Sequence, residues 1–160
     1  MRLEIKRICE RAVEVLRDTF GNDFKALALF GSAAREEETE YSDIDLFVII
    51  QNIPQSHFQR STLFSRISAL NFKRRVLILA KTEQEFKSHF PSLYLDLGLD
   101  GQVLYDTNDF LKQRFEKIRE LIEQAGLLRR RVDGNFFWEF KKQPNSNWEL
   151  TWEGYREFSK

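Results

Sequence analysis

The amino-acid sequence predicts an α/β domain followed by a C-terminal extension. Apolar residues recur at helical spacing near the N-terminus, two strongly apolar segments with strand character follow, and a further helical pattern leads into a third strand. The 160 residues are enough for one domain with a substantial core, but too few for two ordinary domains. We therefore expect one domain over residues 1–106 and an extension over residues 107–160 that packs on it.

The first third of the chain predicts a helix, two strands and a short connection between the strands. The helix runs from Arg2 to about Phe20 and is stopped by Gly21. The segments Phe24–Phe30 and Ile44–Ile50 are apolar and read as strands with at least one buried face. Helix-compatible residues directly after Ser32 predict a short helical turn, so the connection is compact.

The middle of the chain continues the alternation of helices and strands. The predicted elements are, in order, a helix over 56–70, a strand over Arg75–Ala80, a helix over Glu83–Phe90 that Pro91 ends, an ambiguous segment Leu93–Leu99 and the short apolar segment Gln102–Tyr105.

The C-terminal extension begins with a long amphipathic pattern and ends in two aromatic runs. The pattern predicts a helix from Asp109 to about Arg131, ended by Asp133-Gly134, with Arg129–Arg131 favoured there by the helix dipole. The turn signal Gln143–Asn147 separates runs that hold all three tryptophans, so we expect a small hairpin or a clamp. The aromatic residues are expected to pack on the sheet or helices rather than stack on a base; they are Phe136, Phe137, Trp138, Trp148 and Trp152.

Composition and charge argue against several classes of protein. The 25 basic and 25 acidic residues cancel, so the chain has no strong nucleic-acid signal. No apolar run approaches the roughly 20 residues that span a bilayer, and the N-terminus lacks the apolar segment of a secretory signal. The single cysteine, Cys9, cannot form an internal disulfide and is expected to be a packed helix residue. These features favour a cytoplasmic location.

Two charged runs allow more than one interpretation. The acidic run Glu36–Glu40 could repel competing anions or hold a partner, although a solvated loop is the simpler expectation. The basic run Lys73–Arg75 could reach phosphate oxygens or could be an ordinary charged start of the third strand.

Two aspartates at the start of the second strand form the candidate centre. Because side chains alternate along a strand, Asp43 and Asp45 point the same way, while Ile44 points into the core. Two carboxylates one pleat apart repel each other, and a hard divalent cation with oxygen ligands removes that repulsion. Mg²⁺ is the natural candidate, with Asp43 and Asp45 as its ligands.

The glycine and serine that end the first strand complete this centre. Gly31 lets the backbone turn tightly and approach a ligand, and Ser32 offers a hydroxyl and nearby N–H groups that suit a phosphate. Together these residues predict a site for a metal-bound nucleoside triphosphate, at which a hydroxyl attacks the α-phosphate in line.

At these residues the chain resembles the minimal nucleotidyltransferase (MNT-like) family of the DNA polymerase β superfamily. The family signature is Gly-Ser, ten residues and Asp-X-Asp, and Gly31-Ser32 and Asp43-Ile44-Asp45 match it, with Arg35 in the common Gly-Ser-X-X-Arg form. The resemblance extends over roughly residues 1 to 105.

This resemblance implies a mixed sheet flanked by helices, two Mg²⁺ ions, and transfer of a nucleoside monophosphate to a hydroxyl. It also assigns Gly31, Ser32 and Arg35 to the nucleotide and Asp43 and Asp45 to metal and catalysis. Members of the family also pair with helical proteins of the type called HEPN.

The chain departs from the family at its third carboxylate. The third strand has no acid, and Leu77 or Arg75 stands where the acid is expected; Glu83 and Asp96 are candidate substitutes from nearby elements. We therefore keep two functions open. The first is a Mg²⁺-dependent nucleotidyltransferase that uses a nucleoside triphosphate, with ATP as a candidate. The second is a catalytically weak or inactive subunit that binds a helical HEPN-type partner.

Overall fold

The structure is a computed structural model that describes residues 1–145 and 147–158. Its helices and strands, numbered in chain order, are α1 Leu3–Phe20, β1 Phe24–Phe30, α2 Gly31–Ala34, β2 Ile44–Ile50, α3 His57–Asn71, β3 Val76–Lys81, α4 Glu83–Ser88, α5 Leu93–Asp100, β4 Gln102–Asp106, α6 Phe110–Ala125, β5 Leu127–Val132, β6 Asn135–Phe140, β7 Asn147–Thr151 and β8 Gly154–Phe158.

The central sheet has the strand order β3-β2-β1-β4. Strand β2 pairs in parallel with β3, whereas β1 is antiparallel to both of its neighbours, β2 and β4. The sheet is therefore mixed, and helices flank it, as the sequence predicts. The parallel pair is joined by α3, which supplies the long crossover that parallel strands need.

Each face of the sheet buries its own apolar cluster. Leu46 and Val48 of β2 face α1 and α3, where they join Ile5 and Leu16 among others. The alternate residues of β2 face α4, α5 and α6 and join Phe86, Leu97 and Ile118. Because both faces of β2 are buried, the strand is apolar throughout except at Asp45. Full burial of one such side chain contributes about 1.5–3 kcal/mol.

Local sequence signals place the helices before residue 101. Ser56 caps α3 by accepting a hydrogen bond from the Gln59 N–H, and Thr82 and Glu85 form a capping box at α4. The ambiguous segment 93–99 is helical, as α5. Cys9 is buried in α1, and burial raises its thiol pKa to about 12, with the nearby Glu10 adding to the rise, which fits a packed residue.

The prediction of one helix reaching Arg131 is wrong. Helix α6 ends at Ala125, where Gly126 adopts a left-handed conformation (φ 64°) and caps it. The residues that follow form β5, and Asp133-Gly134 (φ 51° and 81°) is the turn of the β5–β6 hairpin. The three arginines therefore lie on a strand, and the helix dipole does not account for them.

The two aromatic runs do not pair with each other. The first belongs to the β5–β6 hairpin and the second to a separate β7–β8 hairpin. Of the turn signal between them, Ser146 lies outside the described residues.

Trp152 packs on the body of the protein and its indole N–H donates to the carbonyls of Phe86 (2.9 Å) and His89 (2.8 Å), whereas Phe137 and Trp148 are exposed. The expectation of packed aromatics thus holds only in part.

The described helices include none that combines the length and apolar character needed to cross a bilayer.

Candidate functional site

The two aspartates of the Asp-X-Asp motif lie at one end of the central sheet. Asp45 is the second residue of β2 and stands opposite Phe30 on β1 and Leu77 on β3. Asp43 comes directly before the strand, so strand alternation places its side chain on the same face as that of Asp45. Both residues are half-buried.

Gly31 is the residue that brings the end of β1 up against Asp45. A Cβ atom at position 31 would lie 2.3 Å from the Asp45 Oδ2 atom, a distance that real side chains do not tolerate. The φ angle of Gly31 is 73°, in the left-handed region that favours glycine. The backbone conformation therefore favours glycine here, and any side chain at position 31 would force the Asp45 carboxylate to move.

The short helix α2 positions Ser32 and Arg35. Ala33 and Ala34 are buried against the main core and fix the turn, while Ser32 is half-buried at its start. The Arg35 N–H donates to the Gly31 carbonyl (3.3 Å), and the Glu37 N–H donates to the Ser32 carbonyl (2.9 Å). The structure therefore brings Gly31, Ser32 and Asp45 together at one edge.

The negative charges of the aspartate pair are only weakly balanced by neighbouring cations. Burial raises the pKa of Asp45, the neighbouring charge of Asp43 raises it further, and Arg35 opposes both effects. The Arg75 guanidinium lies 3.7 Å from the Asp43 carboxylate, but its side chain is 74% exposed, so its contribution is weak. Two hard oxygen donors with excess negative charge fit a divalent cation such as Mg²⁺.

The third strand offers no further carboxylate to this centre. Leu77 is in register with Asp45 and is 40% exposed, so it occupies the place beside the aspartates. Asp45 pairs with Leu77 near the start of β3, whereas Glu83 follows the end of β3, where Lys81 pairs with Ile49. Glu83 therefore lies at the other end of the sheet and does not replace the missing carboxylate. Within residues 1–145 and 147–158, no group of three or more His, Cys, Asp or Glu residues could hold a metal ion.

Asp96, the other candidate substitute, is engaged elsewhere. Its carboxylate accepts hydrogen bonds from Arg129 (3.0 Å) and from the Trp138 indole (3.1 Å). Arg129 also forms a bidentate pair with Asp100 (2.7 and 2.8 Å). Arg129 of β5 therefore pairs with both of these acids of α5.

Arg35 connects the aspartate pair to the C-terminal hairpin. Its guanidinium pairs with Asp100 (3.1 Å) and lies over the Phe136 ring, 4.7 Å from the centroid. Arg129 (4.1 Å) and Arg131 (4.4 Å) lie against the same ring. Sequence reasoning missed this role of Asp100, Arg129 and Phe136, because the helix predicted to reach Arg131 gave no reason to bring them together.

The acidic run after Arg35 is only partly a solvated loop. Glu38 is buried (3% exposed) and pairs with Arg2 (3.2 Å). Glu37 pairs with Arg131 from β5 (2.9 and 2.6 Å), and Glu36 pairs with the N-terminal amine. The expectation of a solvated loop therefore holds for the exposed Glu36, Glu37 and Glu40 and is wrong for Glu38, which is buried.

Arg74 holds the segment that leads into Asp43. Its guanidinium donates to the carbonyls of Thr39 (2.8 Å) and Ser42 (2.7 Å) and is largely buried. Of the basic run Lys73–Arg75 that precedes β3, Arg74 serves the structure of the loop rather than a phosphate. No local pattern in the sequence signals a contact over a separation of 32 to 35 residues.

Comparisons with known proteins identify the family. The profile of the family described as "Polymerase beta, Nucleotidyltransferase" matches residues 10–110. The chain therefore belongs to the polymerase β nucleotidyltransferase family, and the resemblance to this family seen in the motif is confirmed. Members of this family bind nucleoside triphosphates and transfer nucleotidyl groups, commonly with divalent metal ions.

Relatives of known name come from one archaeon, Methanocaldococcus jannaschii. One, named "Putative protein adenylyltransferase", is 29% identical over 126 residues, which cover 75% of this chain and 84% of the relative. Another of the same name is 26% identical over 102 residues and covers 64% of this chain and 94% of the relative. A third is 49% identical over a shorter stretch of 45 residues, 28% of this chain and 43% of the relative.

Solved structures show the same fold. A chain of a toxin–antitoxin crystal structure with AMP-PNP superimposes with a TM-score of 0.55 at 18% identity, over 71% of this chain and 86% of that one. A chain of a complex described as tri-AMPylated Shewanella oneidensis HEPN toxin with MNT antitoxin gives a TM-score of 0.52 at 17% identity, over 74% and 87%. At these identities the likeness establishes the fold alone.

Proposed function

We propose that this protein is an adenylyltransferase that moves AMP from ATP to a hydroxyl group of a protein. The observation that carries the proposal is the contact between the two halves of the motif. A Cβ atom at Gly31 would lie 2.3 Å from the Asp45 carboxylate, so a phosphate chain on the Gly31 turn would lie beside the aspartates. The protein adenylyltransferase names of the relatives support the choice of nucleotide and acceptor.

Each residue of the site has a role in this proposal. The Gly31 backbone and Ser32 hold the triphosphate, and Arg35 balances charge beside it. Asp43 and Asp45 would hold Mg²⁺, which when bound supplies positive charge to the phosphate oxygens. The acceptor oxygen bonds to the α-phosphorus, the bond from the α-phosphorus to the bridging oxygen breaks, and pyrophosphate leaves while the hydroxyl proton passes to solvent.

Transfer of label from ATP tests this function. The protein, Mg²⁺ and an extract of the source cells are incubated with ATP labelled either at the α-phosphate or at the γ-phosphate. We expect protein labelling from the α-phosphate only, and a loss on the order of a thousandfold in the Asp43→Asn/Asp45→Asn variant. Labelling that persists in this variant would contradict the site, and labelling from the γ-phosphate would indicate a kinase.

A matched control removes two carboxylates at the opposite end of the sheet. Asp18 and Asp23 lie near the start of β1, whose first residue Phe24 pairs with Ile50 at the far end of β2. The Asp18→Asn/Asp23→Asn variant changes the net charge by the same amount as the site variant. We expect it to keep the labelling rate within about twofold, because surface changes of this kind cost little.

A second candidate function is the binding of a helical HEPN-type partner without efficient transfer. It is favoured by Leu77, an exposed apolar residue in register with Asp45 where an acid would assist catalysis. The likeness to chains from toxin–antitoxin complexes is in keeping with it. Co-expression with a helical protein encoded next to this chain tests it by size-exclusion chromatography. A complex that survives EDTA and the double Asn substitution supports this function, and separate elution contradicts it.

A further inference from the structure

Tyr41 stands beside the aspartate pair and faces solvent. It comes two residues before Asp43, and its side chain is 88% exposed. Single exposed apolar residues are ordinary on protein surfaces, so exposure alone carries no inference. The position of this phenol, next to a centre that transfers a nucleotidyl group to hydroxyls, is what needs explanation.

The turn that carries Tyr41 is fixed rather than loose. The Ser42 N–H donates to the Thr39 carbonyl (3.1 Å), which closes a four-residue turn with Tyr41 in its third position. The Thr39 N–H donates to the Ser42 hydroxyl (2.9 Å), and Arg74 binds the carbonyls of both residues. These hydrogen bonds fix the conformation of the turn, and Tyr41 lies at its tip.

A large aromatic residue is not what this turn needs. Turn positions favour glycine, asparagine, aspartate and serine for conformational reasons, and a tyrosine there gains no packing. The hydroxyls of Thr39 and Ser42 lie 3.2 Å apart and serve the turn itself, whereas the Tyr41 ring projects away from it. Among the three hydroxyl groups of this turn, the Tyr41 phenol is the one presented outward.

The chain geometry also keeps Tyr41 close to the reaction centre. Two residues span at most about 7 Å, so the Tyr41 Cα lies within that distance of the Asp43 Cα. The tyrosine side chain is long enough to cover a similar distance. A nucleotide held by Asp43 and Asp45 of the same chain therefore lies within the range of this exposed side chain, which is free to change its rotamer.

We propose that Tyr41 is an acceptor of the protein's own adenylyl transfer, so that the chain modifies itself; this rests on the function proposed above. The Tyr41 phenol oxygen bonds to the α-phosphorus of ATP, and its proton passes to solvent. The bond to the bridging oxygen breaks, and pyrophosphate leaves with that oxygen. The product is an AMP–tyrosine phosphodiester that adds one negative charge beside Asp43.

The test is mass spectrometry of the full chain after incubation with ATP and Mg²⁺. We expect a mass increase of one AMP, located by peptide mapping on Tyr41. The Tyr41→Phe variant keeps the ring but has no hydroxyl, so it should lose this modification completely. Tyr105→Phe is the matched control, because it removes a phenol from β4 near the far end of the sheet, and it should be modified like the natural protein.

Four other outcomes separate the possible failures. Modification of Tyr41→Phe to the same extent, at another residue, overturns the proposal. Unmodified protein that still labels other proteins from ATP overturns it too, while leaving the proposed function intact. Unmodified protein that labels nothing and binds no ATP in calorimetry overturns both. A tagged Asp43→Asn/Asp45→Asn chain that becomes modified when mixed with natural protein overturns transfer within one chain.

Discussion

Arg35 interacts with one member of each of two aspartate pairs, with Asp100 through a salt bridge and with Asp45 through its charge, and the two pairs differ in how their charge is compensated. Asp96 and Asp100 on α5 are paired with Arg129 from the C-terminal hairpin, and Arg35 adds a further bond to Asp100. Asp43, directly before β2, and Asp45, on β2, have a single salt bridge in the described part of the chain, the 3.7 Å contact between Asp43 and the exposed Arg75.

The difference shows which carboxylates the chain neutralises for itself. Burial and the charge of Asp43 raise the pKa of Asp45, which means that the folded protein destabilises the ionised form of this carboxyl group. The bonds to Asp100 and Asp96 raise the pKa of Arg129, which means that this ion pair is favourable. The charges of Asp96 and Asp100 are thus compensated within the fold, whereas those of Asp43 and Asp45 are compensated only weakly.

The largest expected effect comes from breaking the compensated pair. Arg129→Leu leaves Asp100, which is 9% exposed, without its bidentate partner. We expect a loss of about 3 kcal/mol in the free energy of unfolding, the lower end of the range for breaking a buried pair, because Asp96 loses its charged partner while Asp100 keeps Arg35. Urea denaturation measures it.

Arg130→Leu is the matched control for this substitution. Arg130 is the next residue on β5, points to the other face, and pairs with Glu139 (2.8 Å) at 61% exposure. Its removal should cost less than about 1 kcal/mol. Equal losses for the two variants would show that Arg129 does not neutralise Asp96 and Asp100 in the way described.

An intermediate effect is expected from adding a divalent cation to the uncompensated pair. Mg²⁺ at about a hundred times its dissociation constant should stabilise the protein by about 2.7 kcal/mol. Thermal unfolding in Mg²⁺ or in EDTA, at matched ionic strength, measures this shift. The Asp43→Asn/Asp45→Asn variant should show almost none of it, and an equal shift in the variant would place the cation elsewhere.

The smallest expected effect is the pH dependence of stability without a divalent cation. The pKa of Asp45 in the folded protein lies above its ordinary value, because the side chain is partly buried and close to the charge of Asp43. The folded state therefore holds its proton more tightly, and stability is lost as the pH rises from about 4 through the folded pKa. Asp45→Asn removes this loss. The free energy of unfolding of the variant should therefore rise relative to that of the natural protein as the pH rises toward 7.

Urea titrations at several pH values measure this gain. A stability difference that stays constant or shrinks with rising pH would contradict the raised pKa. Mg²⁺ should reverse the order of the two proteins at pH 7, because the cation stabilises the natural protein alone.

The sequence predicts the fold and the candidate site where the signals are local. Asp43 and Asp45 share a face because of strand alternation, and Gly31 turns the chain because it lacks a Cβ; both follow from neighbouring residues. The placement of Mg²⁺ and nucleotide on these residues stays a prediction, as does the division at residue 106.

The remainder depends on contacts between distant residues. Arg74 reaches Thr39 and Ser42, and Arg129 reaches Asp100, across separations that leave no periodic trace in the sequence. The end of α6 had a local signal in Gly126, but the apolar residues of β5 continued the helical pattern past it. Asp133-Gly134 was compatible both with a helix end and with a hairpin turn, and the structure contains the turn.

The bond between Arg129 and Asp100 also bears on where this protein can be shortened. The family profile ends at residue 110, before the β5–β6 hairpin begins. A fragment cut there keeps both motif aspartates and Gly31, yet it releases Asp96 and Asp100 from their cation and sets two negative charges beside Arg35. The smallest fragment that retains the charge balance of the site therefore extends through β6.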